Sequence, residues 1–308
     1  MSTPEQPPLP SYYYSYNGDH YWGHERGDWL YGTSANDWLW GWIGGNTLAG
    51  GDGDDRLYGG TGPDFLNGHN GHDLLDGGLG IDTLVGGAGY DVLDGGYGDD
   101  FQQGGDGNDL VLGGPARDTL IGSGGSDYLD GGDGSDTLAL DEPGIPPQPG
   151  PDEIQNPPAT QYGVGGTGND TIEGAAHADR LDGGSGYDYL SGHGGADTLT
   201  GGFANDTLIG GHGSVMTGGY GNDTFIFNST MGANGSATVT DFGFGDSLEI
   251  HWDTPGAANQ FELVYRHVGN DTLVSLMNHA PEAGQPQQLD AFLLVGHHNF
   301  DGWDVSYA

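Results

Sequence analysis

Residues 50–85 read GGDGDDRLY GGTGPDFLN GHNGHDLLD GGLGIDTLV: four nine-residue lines, each with glycine first and fourth, aspartate sixth and leucine eighth. Outward from this stretch the aspartates keep the same grid, from Asp19, Asp28 and Asp37 through Asp55, Asp64, Asp73, Asp82, Asp91, Asp100, Asp109, Asp118 and Asp127 to Asp136, with Asn46 filling one slot. With 37 aspartates in 308 residues, roughly two of these fourteen slots would hold Asp by chance. Thirteen do.

Two residues after each grid position stands an apolar row, Leu in eleven of the fourteen slots, with Tyr21, Gln102 and Val111 as the others. A second array carries Asp170, Asp179, Asp188, Asp197 and Asp206 with Ile172, Leu181, Leu190, Leu199 and Leu208 as its apolar row; it loses one residue near Ser214 and recovers at Asp223. Glycines five, four and two residues before the aspartate permit backbone angles closed to other residues, so this part of the unit can wrap tightly with carbonyls aimed inward. The following x-Leu-x is long enough for a short strand whose central side chain points in while its neighbours point out. Two units then make one coil of 18 residues. Stacked coils would form parallel ladders about 4.8 Å apart around a thin core of leucines.

Such stacking puts aspartates 18 residues apart in register. At about 4.8 Å and an effective dielectric near 20, a bare pair repels by roughly 3.5 kcal/mol. A hard divalent cation held by the carboxylates and the inward carbonyls turns that repulsion into attraction. Six or more oxygens in a flexible loop favour Ca²⁺ over Mg²⁺, which prefers a rigid octahedron and keeps its waters.

The unit G-G-x-G-x-D-x-U-x resembles the calcium-binding nonapeptide of the repeats-in-toxin (RTX) proteins, and the resemblance covers roughly residues 19–225. It implies an all-β fold, a right-handed parallel β-roll followed by an antiparallel β cap at the C-terminus, and export through a type I secretion channel directed by an uncleaved C-terminal signal. Its members include proteases, lipases, adhesins and surface-layer proteins, so the repeat implies a scaffold and no single activity. Carried over residue by residue, the metal ligands are Asp55, Asp73, Asp91, Asp109 and Asp127 on one edge and Asp64, Asp82, Asp100, Asp118 and Asp136 on the other, joined by Asp170, Asp179, Asp188, Asp197, Asp206 and Asp223. Adjacent pairs imply about 11 Ca²⁺ sites, or about +22 against a formal charge of −40, and hence folding gated by calcium. The first units depart from the pattern at Gly23, His24 and Arg26, at Thr33 and Ala35, and at Asn46; these coils are expected to keep the strand and lose metal. Gln102 in the core row and Ala116 in a glycine slot weaken the edge through Asp100 and Asp118.

Composition narrows the function. All five basic residues are Arg, against 45 acids, which excludes a basic footprint for nucleic acid. No run of 18 apolar residues exists, so no membrane-spanning helix is expected, and the first ten residues lack the features of a cleavable secretory signal. There is no Cys, hence neither disulfide nor thiol chemistry. Residues 1–18 form an extended Pro- and Tyr-rich arm, 19–138 the first array, 139–163 a Pro-rich loop or linker, 164–225 the second array, and 226–308 the C-terminal β region with the export signal. The arrays are expected to stack as one roll with a 16-residue insertion in an 18-residue coil. Six runs between Thr224 and Val295 alternate as antiparallel strands would.

Five of the seven Trp lie between positions 22 and 42. Alternation sends Trp29, Tyr31, Trp38 and Trp40 outward, and with Tyr12, Tyr13, Tyr14 and Tyr16 of the arm they form a candidate interface, unless the arm folds back over them. An open first coil offers a template for another strand, so head-to-tail self-association is one expected partnership; glycans or a cell surface, met by the Trp and Tyr faces, are another. Catalytic signatures fail: His24-Glu25 is followed by Asp28 where H-E-x-x-H needs His, and no G-x-S-x-G occurs. His297-His298 reads as surface. The expectation is an extracellular, calcium-bound structural or adhesive protein, forming a filament, matrix or surface layer, and not an enzyme; a monomeric glycan-binding module is the alternative, and a membrane-active effector fits less well.

Overall fold

The computed structural model describes residues 12–14, 20–23, 27–140, 160–228, 235–243, 245–251, 261–268, 271–278, 287–294 and 305–307. Tyr16, Asp19, Arg26, the prolines between 141 and 159, His297-His298 and the tail residue Trp303 lie outside them. Among the described residues there is no helix. Successive strands alternate between two sheets of 14 and 15 strands, and within the roll each strand pairs in parallel with the strand one coil away. Arg56–Thr61 pairs with Leu74–Leu79 in the register Leu57↔Leu75, and Phe65–Asn70 pairs with Thr83–Ala88 on the opposite sheet in the register Leu66↔Leu84. The sequence period of 18 is the height of one coil.

Burial follows the alternation. In Arg56–Thr61 the inward positions are Leu57 and Gly59 and the others face out. The leucine row from Leu30 to Leu208 is fully buried or nearly so, a core one side chain wide from each sheet. Most strands run six residues, x-Leu-x-Gly-Gly-x, where a three-residue strand is expected from the unit. The ladder passes through the glycine pair because its second member, such as Gly60 at φ +110°, bends the strand at an angle a Cβ-bearing residue resists while still pairing with Trp42 and Gly78. The turn shrinks to three residues.

Ala116 stands in the turn just after such a strand, in the slot that Gly98 fills one coil earlier, and it too has a positive φ, +104°. A left-handed conformation costs an L-residue about 1–2 kcal/mol, part of which glycine returns through its larger unfolded-state entropy. Ala116→Gly is therefore expected to stabilise the calcium-loaded roll by about 1 kcal/mol, read as a raised melting temperature; a lowered one would contradict the assignment.

The two arrays form one roll. Tyr128–Asp133 pairs with Tyr162–Thr167, Thr137–Ala139 pairs with Thr171–Glu173, and the Asp136 amide donates to Asp170 Oδ1 at 2.7 Å across a sequence gap of 34. Gly163 stands where the apolar row calls for Leu; Leu140, fully buried, sits within reach of that hole.

Two expectations are corrected. Thr224–Asn228, Gly235–Val239 and Ser247–His251 are not antiparallel: they extend both sheets in parallel, because Asp223 and Asp246 carry the aspartate ladder onward. Among the described residues, antiparallel pairing occurs between Phe261–Val268 and Asp271–Asn278 and between the latter and Gln287–Leu294. The arm strand Tyr12–Tyr14 pairs within the chain, parallel to Trp29–Tyr31. Its backbone adds one strand to the sheet, and at this end of the roll the outermost strands are Tyr12–Tyr14 and His20–Trp22.

Candidate calcium sites

Every aspartate of the grid from Asp28 to Asp223 is buried among the described residues, and the ladder decides what each of its oxygens does. The Asp64 amide donates to Asp82 Oδ1 at 2.7 Å, the Asp82 amide to Asp100 Oδ1 at 2.7 Å, and the chain of bonds continues through Asp118 and Asp136. The other edge repeats it from Asp55 to Asp73, Asp91 and Asp109. One carboxylate oxygen is thus pinned to the neighbouring coil. The second is buried with no hydrogen-bond partner at Asp55, Asp64, Asp73, Asp82, Asp91, Asp100, Asp109, Asp118, Asp136, Asp170, Asp188 and Asp206. A buried acceptor in that state costs on the order of 1–3 kcal/mol, and more when charged.

What these oxygens face is fixed by the inward glycine. The space that a Cβ on Gly59 would fill is bounded by Asp64 Oδ2 at 2.6 Å and by the Gly77 carbonyl of the next coil at 2.7 Å. The same pair recurs at Gly77 with Asp82 Oδ2 and the Gly95 carbonyl, and at Gly183 with Asp188 Oδ2 and the Gly201 carbonyl. Gly59 has an ordinary backbone; it is glycine for room. Among the described residues no three His, Cys, Asp or Glu side chains converge on one point; the oxygens that face this space are carboxylate and main-chain carbonyl, and an ion here would be held by both. An all-oxygen set of this kind suits Ca²⁺.

For the bare chain the electrostatics run against ionisation. Burial first, and the carboxylates of adjacent coils second, push the Asp55, Asp82, Asp91 and Asp118 carboxyls up to about 7. Burial pushes Asp64, Asp73 and Asp109 up to about 6. Rows of acids whose ionisation burial opposes, each with an orphaned oxygen beside inward carbonyls, fit a divalent cation.

The remaining grid positions differ. Asp37 Oδ2 accepts from the Thr33 amide at 2.6 Å and hydroxyl at 2.9 Å. Asn46 keeps the ladder by accepting from the Asp28 amide, while its Nδ2 donates to Asp64 Oδ1 at 2.9 Å and to the Gly59 carbonyl at 3.4 Å. Gln102 is fully buried and donates to the Leu112 carbonyl at 2.7 Å. Asp246 is a ladder member the grid does not reach: its Oδ1 accepts from the Asp223 amide at 2.9 Å. The signal for it is Leu248, buried two residues later, in register with Phe225; the 23-residue spacing hides it from a search at nine.

The aromatic residues at the start of the roll form a terrace on one sheet. Trp22 is 60% exposed and Trp38 37%; Trp40 stacks on Tyr58 at 5.4 Å and 9° and touches Trp22 and Trp38. The Arg56 guanidinium lies 5.0 Å over the Trp38 ring. Trp29 is exposed on the other sheet, so the expected interface residues do not share one face.

This arrangement of parallel coils, pinned carboxylates and inward carbonyls defines a calcium-binding β-roll. The family model of the RTX calcium-binding nonapeptide repeat matches residues 22–57, 49–84, 76–101, 103–138, 162–190 and 191–214, more than half of the chain. The chain belongs to that family. No curated protein matches it significantly. A similar solved structure is that of the extracellular lipase LipA from Serratia marcescens, 18% identical, with 96% of this chain and 40% of that one covered and a TM-score of 0.21. The chain spans less than half the length of that protein.

Proposed function

We propose that the protein is an extracellular scaffold that folds on calcium and works as a structural or adhesive element, self-associating into a filament, matrix or surface layer. The observation that carries this reading is the double row of buried, orphaned carboxylate oxygens. Extracellular modules often bind calcium in the millimolar range, so a fold completed by such ions is gated by export from a low-calcium compartment. The repeats occupy most of the chain, and the paired acids in them are accounted for by the aspartate ladder and its cation sites rather than as acid–base pairs, so catalysis is not the proposed role. Among the described residues no helix is long and apolar enough to cross a membrane.

The test is sedimentation with circular dichroism across a calcium titration, followed by electron microscopy. Sheet signal and larger species that rise with calcium are expected; monodisperse monomers at high calcium would remove self-assembly from the proposal and leave the scaffold. A second reading is favoured by the Trp22, Trp38, Trp40 and Tyr58 terrace, whose flat faces suit sugar rings. Isolated monomers that bind a glycan array, and lose binding with Trp40→Ala, would support it.

A further inference from the structure

The grid treats its aspartates alike, yet the half-coils that lead into them are of two kinds. Tyr162–Thr167, Arg180–Ser185 and Thr198–Phe203 run six residues and lead to Asp170, Asp188 and Asp206, each with Oδ2 buried and without a hydrogen-bond partner. Trp29–Tyr31, Thr171–Glu173 and Tyr189–Ser191 run three residues and lead to Asp37, Asp179 and Asp197. There Oδ2 is already engaged: with Thr33 at Asp37, with the Ala175 amide at 2.7 Å at Asp179, and with the Ser214 hydroxyl at 3.3 Å at Asp197.

At Asp37 and Asp179 the cause lies in the sequence of the half-coil, whereas at Asp197 the donor is Ser214 of the next coil. Where a glycine pair carries the ladder on, as in Gly183-Gly184, the strand continues and the carboxylate faces carbonyls. Where the second glycine is Thr33 or Ala175, the strand stops early and the amide four residues before the aspartate turns into its Oδ2. A donor hydrogen aimed at that oxygen takes the lone pair a cation needs and sets a partial positive charge against the ion.

Resting on the calcium reading above, we propose that the roll holds calcium only at its six-residue half-coils, and that the positions at Asp37, Asp179 and Asp197 are closed by hydrogen bonds in place of the ion. The second array is then loaded along one edge, Asp170, Asp188 and Asp206, while the other keeps its coils together without metal. Asn46 is a further closed position, its amide nitrogen donating toward the Asp64 carboxylate and the Gly59 carbonyl.

The full chain and three variants separate these ideas, with bound ions counted by native mass spectrometry and melting followed in calcium. Asp179→Asn is expected to keep the wild-type ion count. Asp188→Asn is expected to lose at least one ion and to need several-fold more calcium to fold. Asn46→Asp is expected to gain one ion, which guards against reading a misfolded variant as a lost site. An Asp179→Asn chain that folds and loses an ion as Asp188→Asn does would overturn the assignment. A wild-type chain that binds no calcium would overturn the calcium reading itself, and this inference with it.

Discussion

Stripped of divalent ions at pH 7.5, the chain is expected to lose most of its sheet signal, and acidification of the same sample to about pH 4 is expected to restore much of it. Burial raises carboxyls along both rows of the bare fold, to about 6 at Asp109 and about 7 at Asp118, against an ordinary value of 3.8. Their folded-state values are raised, so the fold binds protons more tightly than the unfolded chain does. The associated stability is fully present below about pH 3.8 and is lost as the pH rises through 6 to 7. At neutral pH every orphaned oxygen adds a penalty of about 1–3 kcal/mol, and a dozen such terms match or outweigh the 5–15 kcal/mol by which a domain is usually stable. Calcium acts in the opposite sense, binding the deprotonated rows, so protons and calcium compete for the same oxygens and the calcium bound per folded chain should fall as the pH is lowered. Circular dichroism of the ion-free chain between pH 4 and 8 checks the sign. Full sheet at pH 7.5 would contradict it.

The second large effect is expected from one methyl group. A Cβ on Gly77 would lie 2.6 Å from the Gly95 carbonyl and 2.7 Å from Asp82 Oδ2, closer than real Cβ contacts come, and the carbonyl belongs to a ladder that cannot shift by itself. Overpacking costs about 1–3 kcal/mol, and here the methyl also fills the space between two oxygens that would hold the ion. Gly77→Ala is expected to destabilise the loaded roll by about 3 kcal/mol or more and to raise the calcium needed for folding. Thr61→Ala, on the exposed face of the same strand family, should stay within about 0.5 kcal/mol. Melting both variants in calcium checks the pair; equal behaviour would mean that the inward glycines are not there for room.

The roll was legible because its signal is redundant. Period, glycine slots and leucine row each specify the same coil, and the 18-residue register of Leu57, Leu75 and Leu93 follows from any of them. What escaped the grid is held by contacts outside it. Leu140 stands in the slot that Gly122 fills one coil earlier and, with Ile172 and Leu181, borders the hole at Gly163, and Asp246 joins the ladder after a coil lengthened by insertion. The strand length was misjudged because a glycine pair reads as a turn, whereas here it pairs in the sheet at positive φ. The parallel direction of Thr224–Asn228 was hidden since alternation reports a half-buried strand and not its partner. At the site, the aspartates were legible and their states were not: whether Oδ2 is free, as at Asp188, or capped, as at Asp179, turns on one backbone amide that Ala175 directs and Gly184 does not.

The ions themselves can be located. Crystals grown in calcium and measured by anomalous scattering should show peaks between coils beside Asp64 Oδ2 and the Gly77 carbonyl, and beside Asp82 Oδ2 and the Gly95 carbonyl, repeating up each loaded edge. An ordered roll with no anomalous density along either aspartate row would contradict the account.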